Sequence, residues 1–222
     1  MGIGNNPYTD RTKDESNNYY ERNINDSYYS NERKEYSFIR NYLQDNDRVL
    51  EIGCGDGKNV FTLSLNKNIQ FTGIDISTKA IEEARVRFPK YEFLVSSSVQ
   101  TQFEDASFDC VYLGFLLYLL DRRHLTTMVA EVDRLLKNKG TLVITDFDIR
   151  FPCAKHYLHD QDVNLYKYSY PEMFEGFPHY HLVEKRNHSI KSFDDNHNTW
   201  TQTSVLSKDI DSYSWDEDSA SG

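Results

Sequence analysis

Residues 49–59 read VLEIGCGDGKN, and no other stretch limits the fold as much. Three apolar residues are interrupted by one carboxylate, Glu51, and glycines follow at 53, 55 and 57. Glycines at alternate positions cost chain entropy that an ordinary turn does not require. They are wanted where the backbone takes left-handed conformations or where a ligand comes close to it. A short buried strand runs into this loop, and KNVFTLSLN reads as a helix after it. In open α/β sheets ligands bind outside the carboxyl ends of the strands, and the loop after the first strand is the usual place.

The following segments repeat that unit. IQFTGIDI is a second strand. Ser77 is placed to cap a helix over TKAIEEARVRF, which has Ile81, Ala84 and Phe88 on one side. YEFLV and FDCVYLGF read as further strands. In DRRHLTTMVAEVDRLLKNKG the residues Leu125, Met128, Val129, Val132, Leu135 and Leu136 keep a helical period, with Gly140 as the expected stop. TLVITDF is the next strand. HYHLVEKRNHSI and TWTQTSVLSK read as an antiparallel pair joined by a polar loop. Strands alternating with helices predict a doubly wound, mostly parallel sheet with helices on both faces.

Composition bounds the partners. The chain has 25 Lys and Arg against 35 Asp and Glu, a net charge of −10, which argues against nucleic acid and anionic membranes as partners. Cys54, Cys110 and Cys153 are odd in number and widely spaced, so neither a metal spacing nor a disulfide framework is expected, and a reducing, cytoplasmic setting is. No apolar run approaches the ~20 residues of a membrane span, and the first residues lack a signal-peptide profile. Residues 1–18 are polar and expected to be loose, and 19–207 to form one domain. An aromatic cap is inserted at 148–181, and 208–222 form an acidic tail. Tyr36, Phe38, Ile39 and Leu43 make an apolar stripe on an expected N-terminal helix.

Two ligand classes suit the glycine loop. A dinucleotide wants a third glycine at position 58, where this chain has Lys58, and would bring pyrophosphate near Glu51. At ~4 Å and an effective dielectric of ~20, such like charges cost on the order of 4 kcal/mol. The ammonium of an amino-acid end reverses that sign.

VLEIGCGDG resembles the first motif of class I S-adenosylmethionine-dependent methyltransferases, and the rest of residues 45–147 follows the family's order. FTGIDIS looks like the second strand, SFDCVYLGFLLYLL like the fourth, and LLKNKGTLVITDF like the approach to the fifth. The resemblance implies a seven-stranded Rossmann-like sheet with antiparallel C-terminal strands. It implies S-adenosylmethionine as cofactor, with Glu51, Gly53, Gly55 and Gly57 around the methionine end. Asp75 would take the ribose hydroxyls, and Ile76 would lie against the adenine. Ser97, Ser98, Val99 and Leu113 complete that expected surface, with Tyr19 and Tyr20 closing over it. The family often has an Asp where an ungapped match places Ser97, a weaker acceptor for the adenine amine. The metal-dependent members need a carboxylate at the end of the fourth strand, where this chain has LGF, so Asp146 and Asp148 are not expected to hold a metal.

In this family the segment after the fifth strand commonly walls the acceptor site, and here it is dense in Tyr, Phe and His. Among His156, His159, His179 and His181, the first two are the candidates to join Asp146 as catalytic groups, and Tyr118 is a candidate acceptor contact. Methyl transfer needs positioning above all, and a base only when the nucleophile must lose a proton. The expected acceptor is a small molecule or sugar-linked metabolite. A protein methyltransferase, an NAD(P)-dependent oxidoreductase and a non-catalytic cofactor-binding protein are the alternatives, and the oligomeric state is left open.

Overall fold

The computed structural model describes residues 13, 14, 16–18, 20–22, 34–149, 151–157, 160–188 and 200–212. The calls on Tyr19 and His159 lie outside them. In chain order the strands are β1 Arg48–Ile52, β2 Gln70–Asp75, β3 Glu92–Val95, β4 Phe108–Gly114, β5 Leu136–Phe147, β6 Cys153–Tyr157, β7 Asp160–Lys167, β8 Tyr180–Asn187 and β9 Thr201–Lys208. The α-helices are α1 Asn59–Ser64, α2 Thr78–Arg87, α3 Arg122–Leu135 and α4 Glu172–Glu175.

Seven strands form one sheet in the order β3-β2-β1-β4-β5-β9-β8. The first five are parallel, and β9 runs antiparallel between β5 and β8. Strand order reverses between β1 and β4, so the loops leaving these two strands part and open a crevice. In β1 every residue after Arg48 is buried, as a central strand covered on both faces requires.

Two apolar layers cover the sheet. On one side α3 buries Met128, Val129, Val132 and Leu135 against Leu50, Ile52, Val111 and Leu113. Burying a side chain of this size contributes about 1.5–3 kcal/mol, so this face anchors the parallel half. On the other side Val60, Leu63, Ile81 and Ala84 pack with Tyr36, Phe38, Ile39 and Leu43. Those last four make the expected stripe, but Lys34–Tyr42 is a 3-10 helix. Its three-residue period aligns Tyr36, Ile39 and Tyr42 on one side, and Arg40 donates to the carbonyl of Thr62 to fasten it to α1.

Three local expectations change. First, α3 ends at Leu135, not at Gly140, because Leu136 turns extended and pairs with Phe108 of β4. Lys137–Gly140 then lie in an irregular stretch of β5, with Lys139 at φ 64°. Second, the cap contains a two-stranded antiparallel sheet, β6 with β7, that composition did not suggest, and Tyr180 and His181 already belong to β8. Third, attachment of the N-terminal segment begins before residue 18. Residues 13, 14, 16–18 and 20–22 are helical, and Asn17 Oδ1 accepts from the Ser77 hydroxyl at 2.8 Å. Glu21 pairs with Lys79.

Candidate functional site

The crevice has two halves. The first is the glycine loop. Gly53 and Cys54 donate to the carbonyl of Ile74 at 2.8 and 3.0 Å, which fastens the loop to the end of β2. Gly53, Gly55 and Gly57 have φ of 76°, 54° and 76°. The last two are glycine for different reasons. A Cβ on Gly57 would lie 2.7 Å from the Phe93 ring, so this position is dictated by packing. A Cβ on Gly55 would meet nothing within 4 Å, so here the backbone faces open space, the cradle a ligand would use. A Cβ on Gly53 would come within 3.0 Å of the Leu116 side chain, which brings the turn after β4 down onto the loop.

Two carboxylates border this half. Asp75 Oδ2 accepts from the Gly55 amide at 2.9 Å and Oδ1 from the Ser77 amide at 2.8 Å. Burial pushes its pKa up, against the opposing pull of those amides. A carboxylate has about four lone-pair sites, so hydroxyl donors can still be accepted. Glu51 is fully buried beneath the loop and accepts from the Asn59 amide at 2.6 Å. Its charge therefore acts on the crevice from below, not as an exposed contact. Burial, then Asp75, Glu51 and Asp56, drive the Cys54 thiol well above its ordinary value, which keeps it a neutral filler and not a nucleophile.

Of the expected adenine surface, Ser97 is exposed in the loop after β3, and its hydroxyl accepts from the Val99 amide at 3.3 Å. Ile76, Ser98 and Val99 are half-buried nearby in sequence, and Ser96 donates to the Asp75 carbonyl at 3.0 Å. The far end of this loop is pinned to α3. Burial raises Glu131, but hydrogen bonds from Arg134 and Thr101 outweigh it and hold the carboxyl at about 2. Leu113 is a correction: strand alternation turns its side chain into the core with Val111 and Ile144, where it has no exposed surface to offer a cofactor. Tyr20 is half-buried on the helical segment that touches Ser77 and Lys79.

The second half lies at the ends of β4 and β5, under the cap. Asp146 is 2 % exposed and accepts backbone N–H groups from Leu117, Tyr118 and Phe147 at 3.0, 3.3 and 2.7 Å. Burial nevertheless raises its pKa to about 7. Phe115, Tyr118 and Phe147 meet edge to face, with centroids 5.0–6.4 Å apart. Phe115 sits at φ 53°, an uncommon value for a side chain of its size. Tyr118 is 8 % exposed, and its carbonyl accepts from the Tyr166 amide at 2.8 Å, so it packs beneath the cap. Arg122 locks this arrangement: its guanidinium donates to the carbonyls of Leu117 and Leu120 and to the Tyr170 hydroxyl, and lies 4.5 Å from the Tyr166 ring centroid.

The described histidines are not gathered at Asp146. His156 is exposed and pairs with Asn164 in the cap ladder. His179 pairs with Asp133 at 3.1 Å, and His181 lies 3.4 Å from the Ser212 hydroxyl. Asp148 is bridged to Lys185 at 3.2 Å. Among the described residues no group of three or more His, Cys, Asp and Glu is placed to hold a metal ion, and no helix is long and apolar enough to cross a membrane. Sequence reasoning missed Leu116, Asn59, Phe147, Lys167 and Gln202. Asn59, Leu116 and Phe147 lie within the motif segments with no role assigned to them, Lys167 and Gln202 lie in none, and each reaches the crevice through packing or strand register. A cavity of about 350 Å³ lies at the opposite, amino-terminal edge of the strands, where Lys137 and Asp109 pair at 2.6 Å. It is remote from both carboxylates of the loop.

Residues 49–140 match the model of a methyltransferase domain. The chain is 33 % identical over 112 residues to the 27-O-demethylrifamycin SV methyltransferase of Amycolatopsis mediterranei, covering 47 % of this chain and 40 % of that one. It is 32 % identical over 114 residues to the O-methyltransferase cnsE of Penicillium expansum, covering 48 % and 40 %. The chain thus spans less than half the length of these relatives. Its fold is similar to that of the Burkholderia thailandensis 1,6-didemethyltoxoflavin-N1-methyltransferase, with a TM-score of 0.68 at 15 % identity over 91 % of this chain and 88 % of that one. Residues 49–140 are thus similar to a methyltransferase domain, and the fold around them is shared with a solved methyltransferase.

Proposed function

We propose that this protein transfers a methyl group from S-adenosylmethionine to a small-molecule acceptor held beneath the cap. The observation that carries the reading is the open left-handed backbone at Gly55, with the Asp75 carboxylate bonded to its amide and the Glu51 charge below. A pyrophosphate would meet two carboxylates there. A zwitterion with a neutral ribose meets complementary groups. The curated relatives' names support an oxygen acceptor on a small molecule.

S-adenosylmethionine supplies, when bound, a methyl group already activated on a sulfonium. The chain's own task is then positioning and exclusion of water. Asp75 receives the ribose hydroxyls, and the loop after β3 borders the adenine, with Ser97 offering a hydroxyl in place of a carboxylate. Leu116 closes over the glycine loop, and the aromatic trio lies under the cap. Asp146 positions the Leu117–Tyr118 turn through its three N–H acceptances. With a pKa of about 7 it is also the group under the cap suited to take a proton from a hydroxyl acceptor. Isothermal titration with S-adenosylmethionine, S-adenosylhomocysteine and NAD tests the reading. Binding of the first two and not the third supports it, and binding of NAD alone refutes it.

A further inference from the structure

We propose that the space beneath the cap takes a planar aromatic acceptor that bears an anionic oxygen group, gripped by Lys167 and Lys155 and read by the side-chain amide of Gln202. This rests on the methyl-transfer reading and specifies its acceptor. Three features from separate parts of the chain meet around Asp146.

Gln202 is the register partner of Asp146, so the two side chains stand on the same face of the sheet. It is 2 % exposed, and neither its amide oxygen nor its amide nitrogen has a hydrogen-bond partner among the described residues. Two residues along the same face, the Ser204 hydroxyl is also buried and unmatched. A polar group left unmet inside a protein is destabilising and calls for an explanation. At the start of β9, beside the acceptor half of the crevice, a ligand with both an acceptor and a donor supplies one.

The cap contributes the charge. Its register sets Lys167 opposite Cys153 and Lys155 opposite Leu165, so both lysines share one ladder face, where Lys167 is half-buried and Lys155 stands exposed at the rim. As diagonal neighbours they stand about 7–8 Å apart. Lys167 Nζ is held 3.8 Å from the Phe147 ring centroid, and Asp146 is close enough to act on it electrostatically. Burial, then the charge of Lys155, makes Lys167 less willing to carry a proton. An anion between them relieves that repulsion. The third feature is the trio of Phe115, Tyr118 and Phe147, whose edge-to-face rings suit a flat ligand. A neutral apolar acceptor would leave the amide unmatched, and an acyclic anion would leave the rings unused.

The test uses the full chain saturated with S-adenosylhomocysteine. Calorimetry measures binding of salicylate, of its neutral analogue salicylamide, and of cyclohexanecarboxylate, which keeps the charge without the ring. Salicylate should bind at least tenfold tighter than the other two. Lys167→Met and Lys155→Glu should each weaken it about tenfold with no change in S-adenosylhomocysteine affinity. Gln202→Leu removes the unmatched amide at similar size, so it should weaken salicylate while holding or raising the melting temperature. Salicylamide binding as well as salicylate, no salicylate binding at millimolar concentration, or lysine variants that bind it as the parent does would overturn the proposal. So would a Gln202→Leu protein that melts lower and binds salicylate unchanged, since the amide would then be structural. Failure of S-adenosylhomocysteine to bind would instead strike the methyl-transfer reading itself.

Discussion

The two halves of the crevice are built by opposite means. The cofactor half is made of loops that directly follow β1, β2 and β3, and its hydrogen bonds are largely backbone amides meeting Asp75 and the Ile74 carbonyl. The cap half is made of side chains from β5, β7 and β9 and from the turn after β4, brought together by register and by Arg122. A backbone-built site tolerates few residue types and announces itself in glycines and one carboxylate. A side-chain-built site accepts many residue types, and its members are recognisable only once they are neighbours.

The largest expected effect tests whether the loop glycines serve one purpose or two. Gly57→Val forces a branched side chain into a left-handed position and against Phe93. Left-handed strain of about 1–2 kcal/mol and overpacking of roughly 1–3 kcal/mol should lower urea-unfolding stability by their sum. Gly55→Ala meets open space, so it should lose only the strain of about 1–2 kcal/mol while abolishing S-adenosylhomocysteine binding. Equal stability losses in the two variants would erase the distinction between packing and ligand approach.

Asp146 tests the cap half through pH. Its pKa is raised from 3.8 to about 7 in the folded protein, so the folded state binds the extra proton between those values. The associated stability is fully present below about 3.8 and is lost as pH rises through about 7. Asp146→Asn removes that dependence. The stability of the variant relative to the parent should rise by up to about 1.4 kcal/mol per pH unit across this window. Parallel unfolding profiles at pH 5, 6 and 7 would show that the carboxyl does not titrate there.

Returning to the cofactor half, Asp75→Ala removes a charge-assisted acceptor worth about 1.5–3 kcal/mol, so S-adenosylhomocysteine affinity should fall roughly ten- to hundred-fold in a titration. An unchanged affinity would take Asp75 out of the site. The smallest effect is at Ser97. Ser97→Asp keeps an acceptor for the Val99 amide and offers the adenine amine a charge, which should tighten S-adenosylmethionine and S-adenosylhomocysteine alike by about 1 kcal/mol, roughly fivefold. Weaker binding of both would place something other than adenine at this position.

Legibility follows the same division. Ser77 was readable as a cap because its hydroxyl need only reach the Ala80 amide, 3.2 Å away in the next turn. The face of α3 was readable because helical period and burial coincide. Its end was not, because the pairing of Leu136 with Phe108 overrides the glycine signal downstream. The β6–β7 ladder was hidden because CAKHY and DQDVNLYK show no apolar alternation, and their stability comes from packing on the domain rather than from a face of their own. His156 stood out as chemistry by residue type, which does not report that its side chain stands exposed on the cap ladder.

The sequence by itself determined the α/β order, the glycine loop and the carboxylate that answers it, since each depends on a few adjacent backbone conformations and on the period of one face. Only the tertiary structure decided that Gln202 stands beside Asp146, that Lys167 lies on Phe147, and that Leu116 closes over Gly53. The physical reason is range. Local conformation is an energy of neighbours in the chain. The cap half is a set of encounters between distant strands, fixed by sheet register and by burial, and no residue in it carries that information alone.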